Sequence, residues 1–313
     1  MTAQLLILLL VPLLLPFAVR PLAGRTLDRL GPVAALRTLT LTVLVLAGAS
    51  VSALGALVLT GLLKLPLFAA LGELVRPLPT PPDTLVLPVA AAATGILTVS
   101  AWTLLRSAVR QIHAFRTARR QADRSSAAGD LCVIDSPHPD AYALPGRPHR
   151  IVVTTAMLHS LGPAEREALF AHERAHNAGN HYRFLLAAEL AAHCHPGLRR
   201  LRDTVQLAAE RAADEAAAIA VGDRHLTARA IARAALAARA SHSTRPDFAS
   251  AATAGPVPQR VAALLAPPEH RPRTPSWIAL LLVACTAFSA CAAATGVITF
   301  HHEVEVAQGE ASR

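Results

Sequence analysis

The chain is poor in several residue types, and each shortage argues against a class of protein. Only 4% of its 313 residues are aromatic. No basic motif is interleaved with aromatic side chains, so direct binding of nucleic acid is not expected despite the net charge of +9. The four cysteines form no Cys-x-x-Cys pair, which argues against a cysteine metal site or a disulfide framework. We interpret them as small apolar fillers.

Charge is absent from four apolar segments, which are residues 5–19, 38–63, 84–105 and 276–300. The last three are long enough to cross about 30 Å of hydrocarbon as helices. The first is interrupted by Pro12 and Pro16, but it lacks the basic start and the cleavage site of a signal peptide, so we expect a retained membrane helix. A transporter or channel needs ionisable groups within such helices, and their absence here disfavours that class.

The distribution of charged residues predicts how these segments are oriented. Basic residues outnumber acidic ones in the first connection and after the third segment, where they are Arg20, Arg25, Arg29 and Arg37, and Arg106, Arg110, Arg116, Arg119 and Arg120. The tail at 301–313 carries Glu303, Glu305 and Glu310. The positive-inside rule therefore predicts that both termini lie outside and that residues 106–275 lie in the cytoplasm.

Residues 106–275 show the pattern of a small α+β domain. We expect a basic helix at 106–128, strands at 131–134, 141–144 and 151–155, and helices at 184–194, 200–221 and 227–240. A proline-rich tether at 241–275 contains one short helix at 258–265. The edge of the sheet could bind an extended substrate backbone. Alternatively, the sheet only packs the helices.

A His-Glu-x-x-His motif predicts the chemistry of this domain. His172 and His176 are four residues apart, so on a helix both rings project from one face and can bind one Zn²⁺. Glu173 lies beside the open position of such a metal and is the candidate general base for a water molecule. Pro163 and Glu165 are typical of the start of the helix that carries the motif.

A pair of acidic residues further along the chain offers the third metal ligand that the two histidines lack. Glu210 and Asp214 are four residues apart on a strongly helical stretch. A catalytic zinc needs three protein ligands and one open position, so Glu210 is the predicted third ligand. Asp214 is predicted to accept a hydrogen bond from a ligand histidine and so to orient it. The alternative for both acids is an ordinary solvated helix face.

Other polar residues near the motifs receive weaker assignments. His193 and His195 flank Cys194 before a chain break at Pro196, and we interpret them as structural. His181 is predicted to lie off the ligand face and to make local hydrogen bonds. By residue type alone, Tyr142 and His225 are candidates for stabilising an oxyanion, and neither is assigned to the site.

With these residues the chain resembles the BlaR/MecR family of membrane zinc peptidases. The resemblance covers most of the chain and rests on Ala143-Leu144-Pro145-Gly146 with the following Ile-Val-Val, on the segment from Ala171 to His176, and on Glu210-Arg211-Ala212-Ala213-Asp214. It implies three membrane helices, a cytoplasmic gluzincin-like domain and a fourth helix. It also implies one zinc ion held by His172, His176 and Glu210, with Glu173 as the catalytic base.

The resemblance further implies a bacterial plasma-membrane protein that cleaves a cytoplasmic repressor of the BlaI/MecI type. The β-lactam sensors of that family continue into an extracellular penicillin-binding domain, whereas this sequence ends at Arg313, so we do not expect it to sense β-lactams in that way. Membrane-protein quality control is the second hypothesis, because Asn180-His181 after the motif is similar to HtpX-type and CaaX-prenyl peptidases. The third is a non-enzymatic receptor, against which the intact Glu173 argues.

Overall fold

The structure is a computed structural model that describes residues 3–71, 83–125, 127–238, 256–266 and 277–308. Most of the predicted tether at 241–275 lies outside the described residues. The described part contains twelve α-helices and four strands. The helices are α1 Ala3–Ala18, α2 Arg20–Arg29, α3 Pro32–Leu62, α4 Pro66–Leu71, α5 Asp83–Arg124, α6 Thr155–Ser160, α7 Pro163–Ala178, α8 His181–Cys194, α9 Arg199–Val221, α10 Arg224–Ala238, α11 Val257–Leu265 and α12 Trp277–Gln308. The strands are β1 Ala127–Ala128, β2 Leu131–Ile134, β3 Ala141–Leu144 and β4 Arg150–Thr154.

Three of the described helices, α3, α5 and α12, are long and apolar enough to cross a membrane, which is consistent with a membrane-associated protein. A fourth candidate span exists if the bent pair of α1 and α2 is counted as one. The helix predicted at 84–105 and the basic helix predicted at 106–128 are one continuous helix of 42 residues, α5, which ends at Arg124. The helix of the last apolar segment does not end at Phe300 but continues to Gln308. No proline or glycine lies between these residues, and His301 pairs with Glu305 at 3.2 Å.

The first apolar segment is helical through both prolines, and the bend of 51° comes later, between α1 and α2. A proline has no N–H, so Pro16 cannot donate a hydrogen bond to the carbonyl oxygen of Pro12. The hydroxyl of Ser50, on α3, lies 2.8 Å from that oxygen and can donate to it instead. The contact ties α1 to α3 and satisfies a carbonyl that an apolar surrounding would otherwise leave unpaired.

The sheet has the strand order β1-β2-β4-β3, in which β2 and β4 are parallel and the other neighbours are antiparallel. One face packs on the end of α5, where Ala118 and Ala122 meet Val152. The other face packs on α6, α7 and α10, where Val153 meets Leu169. The sheet therefore lies between the continuation of the long helix α5 and the helix that carries the His-Glu-x-x-His motif.

The first half of α3 packs directly against the helices of the α+β region. Leu36, Leu39 and Val43 share one buried cluster with Leu201 and Val205 of α9. Helix α8, predicted to be too short to span a membrane, has 14 residues and packs between α3, α5 and α9. The membrane-type helices and the α+β region are thus built on a common core.

Candidate metal centre

Helix α7 is fixed at its start by a carboxylate. Pro163 occupies the first turn, where its missing N–H leaves no bond unmade. Glu165 accepts a hydrogen bond from the N–H of Gly162 at 3.0 Å and also pairs with Arg229 and Arg233 of α10. These contacts anchor the start of α7 on α10. The buried face of α7 carries His172, Glu173 and His176.

Helix α9 packs along α7 and presents Glu210 and Asp214 from its buried face. The side chains flanking them on α9, such as Ala209 and Ala213, are small and buried, so the two helices can approach closely. The structure therefore brings together the three predicted metal ligands, the aspartate predicted to orient one of them, and Glu173.

The spacing of the three candidate ligands suits a zinc ion. The Nε2 atoms of His172 and His176 are 3.1 Å apart. Glu210 places Oε2 at 3.5 Å from the first of these nitrogens and Oε1 at 3.8 Å from the second. Ligand atoms about 2.0–2.1 Å from a tetrahedral zinc are separated by roughly 3.3 Å, so the residues fit the ion. They are the one group of possible metal ligands found among the described residues.

Each histidine has a partner at its other ring nitrogen. His172 Nδ1 lies 2.9 Å from Asp214 Oδ1. His176 Nδ1 lies 2.9 Å from the Nδ1 of His181, which is buried at the start of α8. In the tautomers that leave both Nε2 atoms free for a metal, Nδ1–H of each ligand donates to this partner. His181, predicted to lie off the ligand face and to make local hydrogen bonds, contacts a ligand histidine directly.

A buried arginine, Arg260 of α11, completes the cluster, and sequence reasoning missed it. Its Nε and Nη2 donate to the two carboxylate oxygens of Asp214 at 2.8 and 2.6 Å. Its Nη1 lies 2.9 Å from Oε2 of Glu210. The sequence carries only the spacing as a signal, because Arg260 lies four residues before Leu264 on the expected short helix, and the structure shows that both are buried.

Burial and neighbouring charges shift the pKa values of the three buried histidines in different directions. Burial alone would lower the pKa of His172, but its hydrogen bonds to Asp214 and Glu210 raise that pKa to about 9. The pKa of His176 falls well below its ordinary value because of burial and the positive charge favoured at His172. Burial also lowers the pKa of His181 to about 4, so its ring is neutral and can accept a hydrogen bond. A positive charge is thus favoured at His172 and disfavoured at His176.

The remaining polar candidates lie elsewhere. Tyr142 packs with Ala118 and Ala122 of α5, on the face of the sheet away from α7. His225 is exposed at the start of α10. His195 accepts a hydrogen bond from the N–H of Gly197 and its ring contacts Phe17, which is a structural arrangement.

These features define a class, namely a helical protein of membrane type with a buried His/His/Glu centre and an adjacent glutamate, as in mononuclear zinc hydrolases. Comparison with known families agrees with that class. Residues 108–195 match the sequence model of peptidase family M48. The match supports a metallopeptidase and includes the His-Glu-x-x-His helix, whereas Glu210, Asp214 and Arg260 lie beyond it. Neither the curated proteins nor the solved structures contain a match to this chain.

Proposed function

We propose that the protein is an integral-membrane zinc metalloendopeptidase whose metal ligands are His172, His176 and Glu210. The observation that carries the proposal is the convergence of these three ligand atoms, within 4.8 Å of one another, beside the buried Glu173. A purely structural zinc site usually has four protein ligands and needs no base, so Glu173 favours an enzyme over a receptor with a vestigial site.

The residues divide the chemistry of peptide hydrolysis between them. A zinc ion bound here would lower the pKa of a water molecule to about 7 and polarise the scissile carbonyl. In this mechanism Glu173, which follows a ligand directly in α7, takes the proton of that water and returns it to the leaving amine. Asp214 and His181 orient the two ligand rings in this proposal, since Oδ1 of the first and Nδ1 of the second each lie 2.9 Å from the Nδ1 of a ligand histidine.

The proposed setting is a bacterial plasma membrane with four spans, both termini outside and residues 106–275 in the cytoplasm. The arginine-rich half of α5 and the acidic end of α12 support it. In a variant without the four cysteines, Cys132, Cys194, Cys285 and Cys291, a single cysteine can be placed at exposed His302 or Asp123. We expect an impermeant thiol reagent to label position 302 in intact cells and position 123 only after permeabilisation. Labelling in the reverse order would contradict the orientation.

The proposed substrate is a cytoplasmic repressor of the BlaI/MecI type, and the alternative is a misfolded membrane protein. The test compares new protein N-termini in cells that express wild type or Glu173→Gln. Loss of a general base lowers turnover by about 10²–10⁴-fold, and the Gln variant should still bind zinc because all three ligands remain. The matched control is Glu167→Gln, because Glu167 is exposed on the same helix.

A terminus inside one helix-turn-helix repressor, seen with wild type and Glu167→Gln only, would support regulatory cleavage. Termini spread over many membrane proteins would support quality control. If Glu173→Gln produces the same termini as wild type, then Glu173 is not the base and the mechanism is wrong. If no strain produces new termini although wild type binds zinc, the receptor hypothesis takes precedence.

A further inference from the structure

Arg260 is fully buried, and it has the largest side chain among the fully buried residues of the described chain. It belongs to α11, a helix of nine residues that lies in sequence between α10 and the apolar helix α12. A guanidinium removed from water in this way is tolerated only when carboxylates pair with it and accept its hydrogen bonds. The position of Arg260 therefore has to be explained by what it binds.

Its partners are the two acids that α9 presents to the metal centre. Nε and Nη2 form a two-point contact with both oxygens of Asp214, at 2.8 and 2.6 Å. Nη1 reaches Oε2 of Glu210 at 2.9 Å. A planar guanidinium can hold two carboxylates at fixed directions in a way that the single ammonium group of lysine cannot.

Both acids also contact the histidines. Asp214 Oδ1, which accepts from Arg260, is the atom that lies 2.9 Å from His172 Nδ1. Glu210 directs Oε2 toward Arg260 and Oε1 toward His176, 3.8 Å from its Nε2. Fixing the two carboxylates thus fixes the orientation of one ligand histidine and leaves one oxygen of Glu210 turned toward the other.

We propose that Arg260 is a positioning residue of the metal centre, which holds Glu210 and Asp214 in the geometry that zinc requires. The inference rests on the proposed function, because it takes His172, His176 and Glu210 as the ligands. It adds α11 to α7, α8 and α9 as a further element on which the metal centre depends. Removal of a supporting hydrogen bond of this kind typically lowers metal affinity by about 10–100-fold.

A charge effect would have the opposite sign. Arg260 is a permanent positive charge beside a proposed site for a divalent cation, so by Coulomb repulsion alone its removal would strengthen zinc binding. Positioning predicts that removal weakens zinc binding. The direction of the change in zinc affinity therefore separates the two roles.

Helix α11 has a second anchor, which provides a matched control. Arg224 of α10 donates to the carbonyl oxygens of Ala263 and Leu264 at 3.1 and 2.9 Å and pairs with Glu215 at 2.6 Å. It fixes the end of α11 without touching a residue of the metal centre. Arg224→Gln therefore weakens the docking of α11 in general, whereas Arg260→Gln also removes the contacts with Glu210 and Asp214.

The experiment uses the full-length protein in detergent and the variants Arg260→Gln, Arg260→Lys and Arg224→Gln. Zinc affinity is measured by competition with a chromophoric chelator, and the visible absorption of the Co²⁺-loaded protein reports the coordination geometry. Thermal melting without added metal reports folding. None of these readouts requires peptidase activity.

We expect Arg260→Gln to lose about 10–100-fold in zinc affinity and to change the Co²⁺ spectrum. Arg260→Lys, which keeps the charge but not the two-point contact, should lie between Gln and wild type, and Arg224→Gln should leave both readouts near wild type. Equal or tighter zinc binding by Arg260→Gln, or an equal loss in Arg224→Gln, would overturn the proposal. If Arg260→Gln does not fold, Arg260→Lys is the deciding variant. A zinc affinity and a Co²⁺ spectrum identical to those of wild type would then overturn the proposal.

A failure of the proposed function is a different result. If wild type itself binds no zinc, or if Glu210→Gln binds it as tightly as wild type, the ligand assignment is wrong. If wild type binds zinc and depends on Glu210 but not on Arg260, only the inference about Arg260 fails.

Discussion

Replacing Gly179 by alanine tests whether His181 supports the metal centre. Gly179 ends α7 with φ −76° and ψ −6°, a conformation that alanine adopts without strain. A Cβ there would lie 2.3 Å from Nε2 and 2.6 Å from Cδ2 of His181, where ordinary contact begins at 3.4 Å. The imidazole therefore has to move by about 1 Å.

Such a movement should break the contact between His181 and His176. The two Nδ1 atoms are 2.9 Å apart, and a shift of about 1 Å takes them beyond the range of a hydrogen bond. The loss of the buried hydrogen bond should cost about 1 kcal/mol of unfolding free energy. Zinc affinity should fall by about 10–100-fold, because a ligand histidine loses the partner that orients it.

The size of the stability change depends on His181. Replacing a glycine by alanine at a compatible position stabilises a protein by about 0.4–1 kcal/mol, since the unfolded chain loses freedom. In a His181→Ala background no ring obstructs the new methyl group, and its remaining close neighbour is the carbonyl oxygen of Ala175 at 3.1 Å, a tight contact that offsets this gain. Gly179→Ala should therefore destabilise the wild type more than the His181→Ala variant, and leave the zinc affinity of that variant unchanged.

The assay is a double-mutant cycle on zinc affinity and thermal melting, with Gly24→Ala as a control. Gly24 is exposed on α2, and a Cβ there meets nothing within 4 Å. An equal loss of zinc affinity on Gly179→Ala in both backgrounds would refute the reasoning. So would full retention of zinc affinity by Gly179→Ala alone.

Two further predictions concern the framework of the site. Burial would raise the pKa of Glu165, but the N–H of Gly162 and the guanidiniums of Arg233 and Arg229 lower it below its ordinary value of 4.5. The ionised carboxylate therefore stabilises the folded state above pH 4.5. This stabilisation is lost as the pH falls through the pKa of Glu165 in the folded state, which is the lower of the two. Because both arginines are more than half exposed, Glu165→Gln should cost only about 1 kcal/mol at pH 7, and the difference should shrink in melts below pH 4.5. A difference that grows as the pH falls would contradict this sign. Thr154→Val should cost about 2 kcal/mol in thermal or denaturant unfolding, because the hydroxyl accepts from Met157 N at the start of α6 and from Asp140 N at 2.9 Å. Ser125→Ala, which removes an exposed hydroxyl bonded to Gln121 O, should change stability by less than about 0.5 kcal/mol, and an equal effect of the two substitutions would contradict the prediction for Thr154.

The parts of the site that could be predicted are those encoded by short helical spacing. His172 and His176 lie on one face because they are four residues apart, and Glu210 and Asp214 do so for the same reason. The signals for a helix start are also encoded by neighbouring residues, and α7 begins at Pro163 as expected. The predicted strands are found within one residue of their observed ends for the same kind of reason.

The parts that could not be predicted depend on contacts between distant elements. Arg260 is 46 residues from Asp214 in sequence, and only the packing of α11 on α9 brings them together. The prediction for His181 assumed that one helix contains both His176 and His181, which are five residues apart in sequence. Asn180 has φ 51°, a left-handed conformation that ends the helical path and turns the ring of His181 back onto His176.

The length of α5 has a mechanical consequence. Beyond its apolar part, residues 106–124 extend the helix by about 28 Å. The sheet is attached near the far end of this rod, through Ala118 and Ala122 and through Arg119, which donates to Pro148 O at 2.8 Å. Helix α9 is instead attached to α3. A tilt of α5 by about 10° relative to α3 would move the far end by roughly 5 Å. A small change in the angle between α5 and α3 would therefore displace the sheet by several ångströms relative to α9, the helix that bears Glu210.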